Sequence, residues 1–233
     1  MRVCFGQALL SFTIVERIAL NFNQFISYIA QGTVYTIGVT LIALPSGLLI
    51  GTILALLYVY GGKTAARLMN FYSTIFRGVP PVVLLFILFF AVSKGINLSA
   101  FLAGSLSLGI VSSAYQMEIV RGALLAVSGD QMRAARAIGL SQMQAIRYIV
   151  LPQAVRLAIP PWSNEVAIII KDSSLVYALG VPEILRRAQL IGASSQQYLL
   201  AYLSAAVIYF LLVFLTTRLL NLLEKKLTIP SHP

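Results

Sequence analysis

Two carboxylates, Glu165 and Asp172, stand seven residues apart in a largely apolar stretch, with Asn164 beside the first. Seven residues are two helical turns, so both acids lie on one helix face. Acids at membrane depth are costly and mark functional sites by default. Such a face can neutralise a guanidinium, imidazolium or ammonium group, while Asn164 donates or accepts hydrogen bonds. The structural alternative pairs Glu165 with an arginine such as Arg156, and Asp172 with Lys171 or the backbone. Both readings stand for Glu165; the structural one is favoured for Asp172. Other chemistry lacks its groups. The one histidine, His232, lies in the C-terminal tail, and Cys4 is the single cysteine. Neither HExxH nor GxxxxGK[ST] occurs, so no catalytic residue, no metal site and no phosphate-binding loop is expected.

The elements that must position these acids are membrane helices. The 233 residues are 59% apolar and 10% charged, and the mean hydropathy is +0.88. A soluble domain carries roughly 25% charged residues, so 24 charges cannot solvate this surface. The same numbers exclude disorder. Charge-free intervals place about five spans, near 29–59, 79–93, 99–119, 160–180 and 198–220, since a crossing needs about 20 apolar residues. The expected fold is therefore an all-α membrane protein. The net charge of +10 follows from basic loops and requires no nucleic acid. Lys63, Arg67, Arg77, Arg121, Arg133, Arg136, Arg147, Arg156, Arg218, Lys225 and Lys226 fall on one side. Arg2, Arg17, Lys94, Arg186 and Arg187 fall on the other. That bias predicts the N-terminus outside and the C-terminus in the cytoplasm. Residues 1–28 read as an interfacial segment carrying Phe5, Phe12, Ile14, Phe22 and Phe25. The single transmembrane domain then covers 29–225, and 226–233 forms a cytoplasmic tail.

Between the third and fourth spans, residues 128–152 are too patterned for a linker. Ser128-Gly129-Asp130-Gln131 and Ser141-Gln142-Met143-Gln144 read as capping boxes that each begin a helix. Gly139 suits the break between them. Met143, Ile146 and Ile149/Val150 give the second helix an apolar face. Pro152 and Pro160-Pro161 are expected to interrupt it. The result is a cytoplasmic helix–glycine–helix elbow, either lying on lipid or docking a cytosolic partner. Elsewhere, Glu118 and Arg121 sit three apart as an interfacial ion pair, and Arg77 anchors the second span at the headgroups. Residues 182–190 predict a short external helix with Pro182 in its first turn. Tyr198, Tyr202 and Tyr209 read as belt and packing residues, and Gly38, Gly47 and Gly51 as close helix contacts.

These residues resemble the permease subunits of ATP-binding-cassette importers, specifically the polar amino-acid type that includes histidine, arginine and glutamine permeases. Their cytoplasmic signature is Glu-Ala-Ala, three residues, Gly, nine residues, Ile-x-Leu-Pro. Here Ala134-Ala135, Gly139 and Ile149-Val150-Leu151-Pro152 keep that spacing. The likeness extends through Phe76-Arg77-Gly78-x-Pro80, Ala114-Tyr115-x-x-Glu118-Ile119-Val120-Arg121-Gly122, Asn164-Glu165, Lys171-Asp172-Ser173-Ser174-Leu175 and Gly180-Val181-Pro182-Glu183-Ile184-Leu185. One departure stands out: Arg133 occupies the place of the signature's Glu. The resemblance implies a type I importer fold and a coupling elbow at Arg133, Ala134, Ala135, Gly139, Leu151 and Pro152. It implies a separate cytosolic ATPase holding ATP and Mg, with no cofactor in this chain. It also implies a second permease subunit, identical or homologous, and an extracytoplasmic amino-acid-binding protein. Glu165 suggests basic amino acids as cargo. Neutral polar or acidic amino acids are the alternative, and a secondary carrier or channel without an ATPase is the more distant one. An intramembrane enzyme lacks a nucleophile–base pair.

Overall fold

The computed structural model describes residues 22–93 and 98–227, and among these every regular element is helical. Helices α1 (Phe22–Ala30) and α2 (Gly32–Tyr60) run nearly end to end, followed by α3 (Gly62–Gly78) and α4 (Pro81–Ser93). The long α5 (Ala100–Ala137) leads through Gly139 to a single turn, α6 (Gln142–Ala145). A π-helical turn (Ile146–Val150) and α7 (Leu151–Asp172) continue it. A 3-10 stretch (Ser173–Leu179), α8 (Ile184–Ser195) and α9 (Tyr198–Leu227) complete the chain. Phe5, Phe12, Ile14, Lys94 and the tail beyond 227 lie outside the described residues. Of the N-terminal segment, residues 22–28 are helical, and Phe25 is buried with Ile29 against Ile184, Ala188 and Ile191.

Among the described residues three stretches are long and apolar enough to cross a bilayer: Phe22–Tyr60, Ala100–Val127 and Tyr198–Lys226. The expected crossing at 79–93 is shorter. Helix α4 has 13 residues, about 20 Å at 1.5 Å per residue, against a hydrocarbon core of about 30 Å. It reaches crossing length only together with α3, and the two axes are bent by 110°. The break falls where Pro80 and Pro81 follow Gly78, and prolines cannot extend a helix ladder behind them. The expected crossing at 160–180 is shifted. Its α-helix starts at Leu151, and 3-10 geometry replaces it from Ser173 until Gly180, whose φ of +86° closes the segment.

The elbow differs from its pattern at two points. The first capping box does not start a helix, because α5 runs unbroken through 128–131 to Ala137. An uninterrupted ladder satisfies those backbone N–H groups, so a cap there has nothing to do. The break comes at Gly139, with φ +92°. Leu140 N donates to Ala135 O (3.1 Å) and Gly139 N to Arg136 O (3.1 Å), the two bonds of a Schellman motif. The second box is real: Ser141 and Gln144 exchange side-chain and backbone bonds. The prolines also fail to interrupt. Before Pro152 the ladder widens into the π turn, and the Gln153 side chain donates to Ile149 O at 3.0 Å. Pro160 and Pro161 lie on the exposed side of α7, and the helix continues through both. The helix accordingly buries Ala145, Val150 and Ala154 instead of Met143, which is exposed.

The core is built on α2 against α5. Val39, Ala43, Leu44, Leu85, Leu108, Val166 and Ile169 fill its middle. Ala55, Met117, Leu124, Val150 and Ala154 pack the elbow end. Glycine sets the spacing. A methyl at Gly51 would come within 2.8 Å of Met117 N and Ser113 O, and one at Gly47 within 2.6 Å of the Gln116 amide. Gly51→Ala should therefore destabilise the detergent-solubilised protein by the roughly 1–3 kcal/mol of an overpacked contact, read as a lower thermal midpoint. Gly122→Ala, where a methyl meets nothing within 4 Å, should leave it unchanged or slightly higher. Equal midpoints for the two variants would contradict so close a seam.

Candidate functional site

Glu165 lies inside the subunit, 4% exposed, on the face of α7 that meets α5. Ser112 Oγ donates to its Oε1 at 2.8 Å. Gln116, one turn further along α5, donates to Ser112 Oγ (3.0 Å) and to Leu44 O on α2 (3.2 Å). Trp162 Nε1 of α7 closes the chain by donating to Gln116 Oε1 at 3.0 Å. One carboxylate, one hydroxyl, one amide and one indole thus tie α2, α5 and α7 together. The structural alternative for Glu165 is not used: among the described residues no ion pair joins it to Arg156 or any other base. Asp172, half-buried two turns on, likewise has no ion pair with Lys171. Asn164 points elsewhere. It is exposed, as is Lys171 seven residues on, so the outer face of α7 carries an amide and an ammonium while the inner face carries the acid.

A cavity of about 270 Å³ opens between α2, α5 and α7, lined by Leu48, Thr52, Val120, Ala154, Ile159 and Trp162 among others. Its walls are almost wholly apolar, so it offers a zwitterion little. Glu165 is not among its lining residues; Trp162 and Gln116 connect the two.

A second charged centre sits midway along α5. Glu118 accepts from Ser73 Oγ at 2.7 Å, pairs with Arg121 at 2.5 Å and lies 3.7 Å from Arg77. Arg77 stands over the Tyr115 ring and Arg121 over Tyr58. The expected pair is therefore a three-charge cluster that also pins α3. At the opposite end Glu183, fully buried, caps α8 by accepting from Leu185 N (2.8 Å) and Arg186 N (2.6 Å). Pro182 precedes this cap and does not occupy the first turn. Tyr209 Oη donates to Glu183 Oε2 at 2.5 Å, so of the expected belt and packing tyrosines Tyr209 is a packing one, with a polar partner the sequence did not reveal. Burial pushes the Glu183 carboxyl up, and those hydrogen bonds pull it back.

The elbow residues do not gather around one point. Ala135 is buried, while Arg133, Ala134, Gly139 and Pro152 are exposed and Leu151 is half-buried. Arg133 pairs with Asp130 within α5. Sequence reasoning missed Ser112, Gln116 and Trp162. The available signal was Ser112 and Gln116 at i, i+4 inside a charge-free span, one polar stripe on one face.

An all-helical membrane protein with a polar seam through its core and a capped elbow at one end is the class that these features define. The chain belongs to the family of binding-protein-dependent transport system inner membrane components, whose model matches residues 47–229. It is 34% identical over 212 residues to a putative glutamine transport system permease protein of Rickettsia conorii, covering 90% of this chain and 97% of that one. It is 36% identical over 200 residues to a probable amino-acid ABC transporter permease protein of Bacillus subtilis, covering 85% and 88%. The solved amino acid ABC transporter with histidines matches with a TM-score of 0.79 at 31% identity, over 89% of this chain and 99% of that one. The inward-facing MetNI methionine transporter, at 19% identity, shares the fold with a TM-score of 0.77. The chain is thus an integral membrane permease subunit of an amino-acid ABC importer. It works with an ATPase and a substrate-binding protein, and ATP hydrolysis belongs to the separate subunit.

Ser112→Ala should strip Glu165 of its one protein donor among the described residues and cost about 1–3 kcal/mol of stability for a buried polar group left unmet, read as a lower thermal midpoint. Ser105→Ala is the control, since Ser105 donates only to Phe101 O of its own helix. A Ser112→Ala protein as stable as the control would show that the seam does not depend on this bond.

Proposed function

We propose that this chain forms half of the translocation pathway for basic amino acids, paired with a second, identical or homologous, permease subunit. The supporting observation is Glu165, a buried carboxylate held by one hydroxyl and by no cation among the described residues. A guanidinium or ammonium group of a substrate would supply the missing charge, adding an ion pair to the hydrogen bond from Ser112. Asp172 offers a second acid two turns away, and Asn164 a neutral hydrogen-bonding group on the outer face of α7. A second reading, neutral polar cargo, is favoured by relatives whose names specify glutamine; one at 31% identity is named for octopine.

The elbow is the proposed coupling point, facing the cytoplasm together with the C-terminus, while the N-terminus lies outside. Ile138, Met143 and Tyr148 are 79%, 71% and 62% exposed there, beside Arg133, Ala134 and Pro152. Large apolar side chains standing out among arginines suit a partner's cleft better than water. That partner is the ATPase, which carries ATP and Mg. Ala135 and Leu151 brace the elbow from within.

Glu165→Gln keeps the shape and removes the charge. Uptake of arginine, lysine and histidine into vesicles containing the assembled importer should weaken by about 10- to 100-fold, the worth of a charged hydrogen bond, with glutamine uptake spared. An unchanged ranking of cargoes at equal expression would favour the neutral reading. Gly139→Val forces a β-branched residue to φ +92°. It should uncouple substrate from ATP hydrolysis while leaving assembled protein in the membrane; normal substrate-stimulated hydrolysis would refute the coupling role.

A further inference from the structure

Helix α3 presents three distinct sides. Lys63, Arg67, Asn70, Thr74 and Arg77 recur at i, i+4, i+7, i+11 and i+14, so they line up along one edge, and all five are exposed. Leu68, Phe71 and Ile75 form the next edge round, exposed by 59%, 66% and 39%. The third side faces the protein: Tyr72 Oη donates to Ile110 O at 3.2 Å, and Ser73 to Glu118. No acid occurs anywhere in 62–78. The helix starts where the α2 crossing ends, at Gly61–Gly62, and turns by 110° before α4, which is apolar up to its last residue, Ser93. One side on protein, one exposed apolar edge and a basic edge between them is the pattern of a helix lying in a membrane interface.

We propose that α3 is an interfacial helix whose Lys63–Arg67–Arg77 edge binds the headgroups of anionic phospholipid, with Leu68, Phe71 and Ile75 set among the acyl chains. Charge selects the occupant. A run of basic residues without an acid at the membrane surface attracts anionic lipid, and the adjoining exposed leucine, phenylalanine and isoleucine have no reason to face water. Arg77 is shared with Glu118, so Lys63 and Arg67 carry most of the attraction; neither bonds to another described residue.

The test titrates the full-length protein in mild detergent with dioleoylphosphatidylglycerol or dioleoylphosphatidylcholine and follows the thermal shift. Phosphatidylglycerol should bind and phosphatidylcholine should not. Lys63→Gln/Arg67→Gln should weaken phosphatidylglycerol binding by roughly 30-fold, the contribution of two basic side chains near an anionic surface. The charge-conserving Lys63→Arg/Arg67→Lys should bind as the wild type does, which separates lost charge from damaged folding. Equal binding of the two lipids, or undiminished phosphatidylglycerol binding by the glutamine variant, would overturn the proposal. Loss of a co-purifying protein subunit with phosphatidylglycerol binding intact would overturn it in favour of a protein contact on this edge.

Discussion

Close approach of α2 to α5 is the constraint on which the rest of the molecule depends. Inside a bilayer there is no hydrophobic drive to bring two helices together, because lipid tails are as apolar as leucine; packing and interhelical hydrogen bonds must do it. Gly47 and Gly51 remove the side chains that would hold the axes apart. The gap they leave is filled by Gln116, whose amide reaches the Leu44 carbonyl across the seam. A bond of that kind is worth about 0.6 kcal/mol in a membrane, too little to assemble a subunit. Its consequence is directional: it fixes the rotation of α5 and so aims Ser112 at Glu165.

Once α5 is held, two further acids fix the remaining helices. Toward the elbow, Glu118 gathers Ser73, Arg77 and Arg121, which docks α3 and leaves its basic edge outward. At the far end Glu183 caps α8 and receives Tyr209 of α9. Gly32 lets α2 press against the backbone at that cap, where a methyl would lie 2.5 Å from Ile184 N. Each acid therefore does local structural work with neutral donors or arginines. Glu165 differs in meeting a single hydroxyl within the described chain.

Sequence alone determined the class, the elbow and the list of acids, because each rests on information local to the chain. Apolar runs of crossing length reveal spans, a glycine in a left-handed turn reveals a break, and Ser141 with Gln144 reveals a helix start. Local signals misled where tertiary packing overruled them. The capping pattern at Ser128 is absorbed by a helix that has no reason to stop. Pro160 and Pro161 are carried inside α7 without ending it, and the 79–93 span is half of a bent pair. Only the tertiary structure decided that Glu165 faces Ser112 and not Arg156, that Tyr209 belongs to Glu183, and that Asn164 and Glu165 look opposite ways. Those pairings join residues 26 to 53 positions apart in the chain, and no periodicity encodes them. They follow from the rotation of each helix about its axis, which the glycine seam and its hydrogen bonds set.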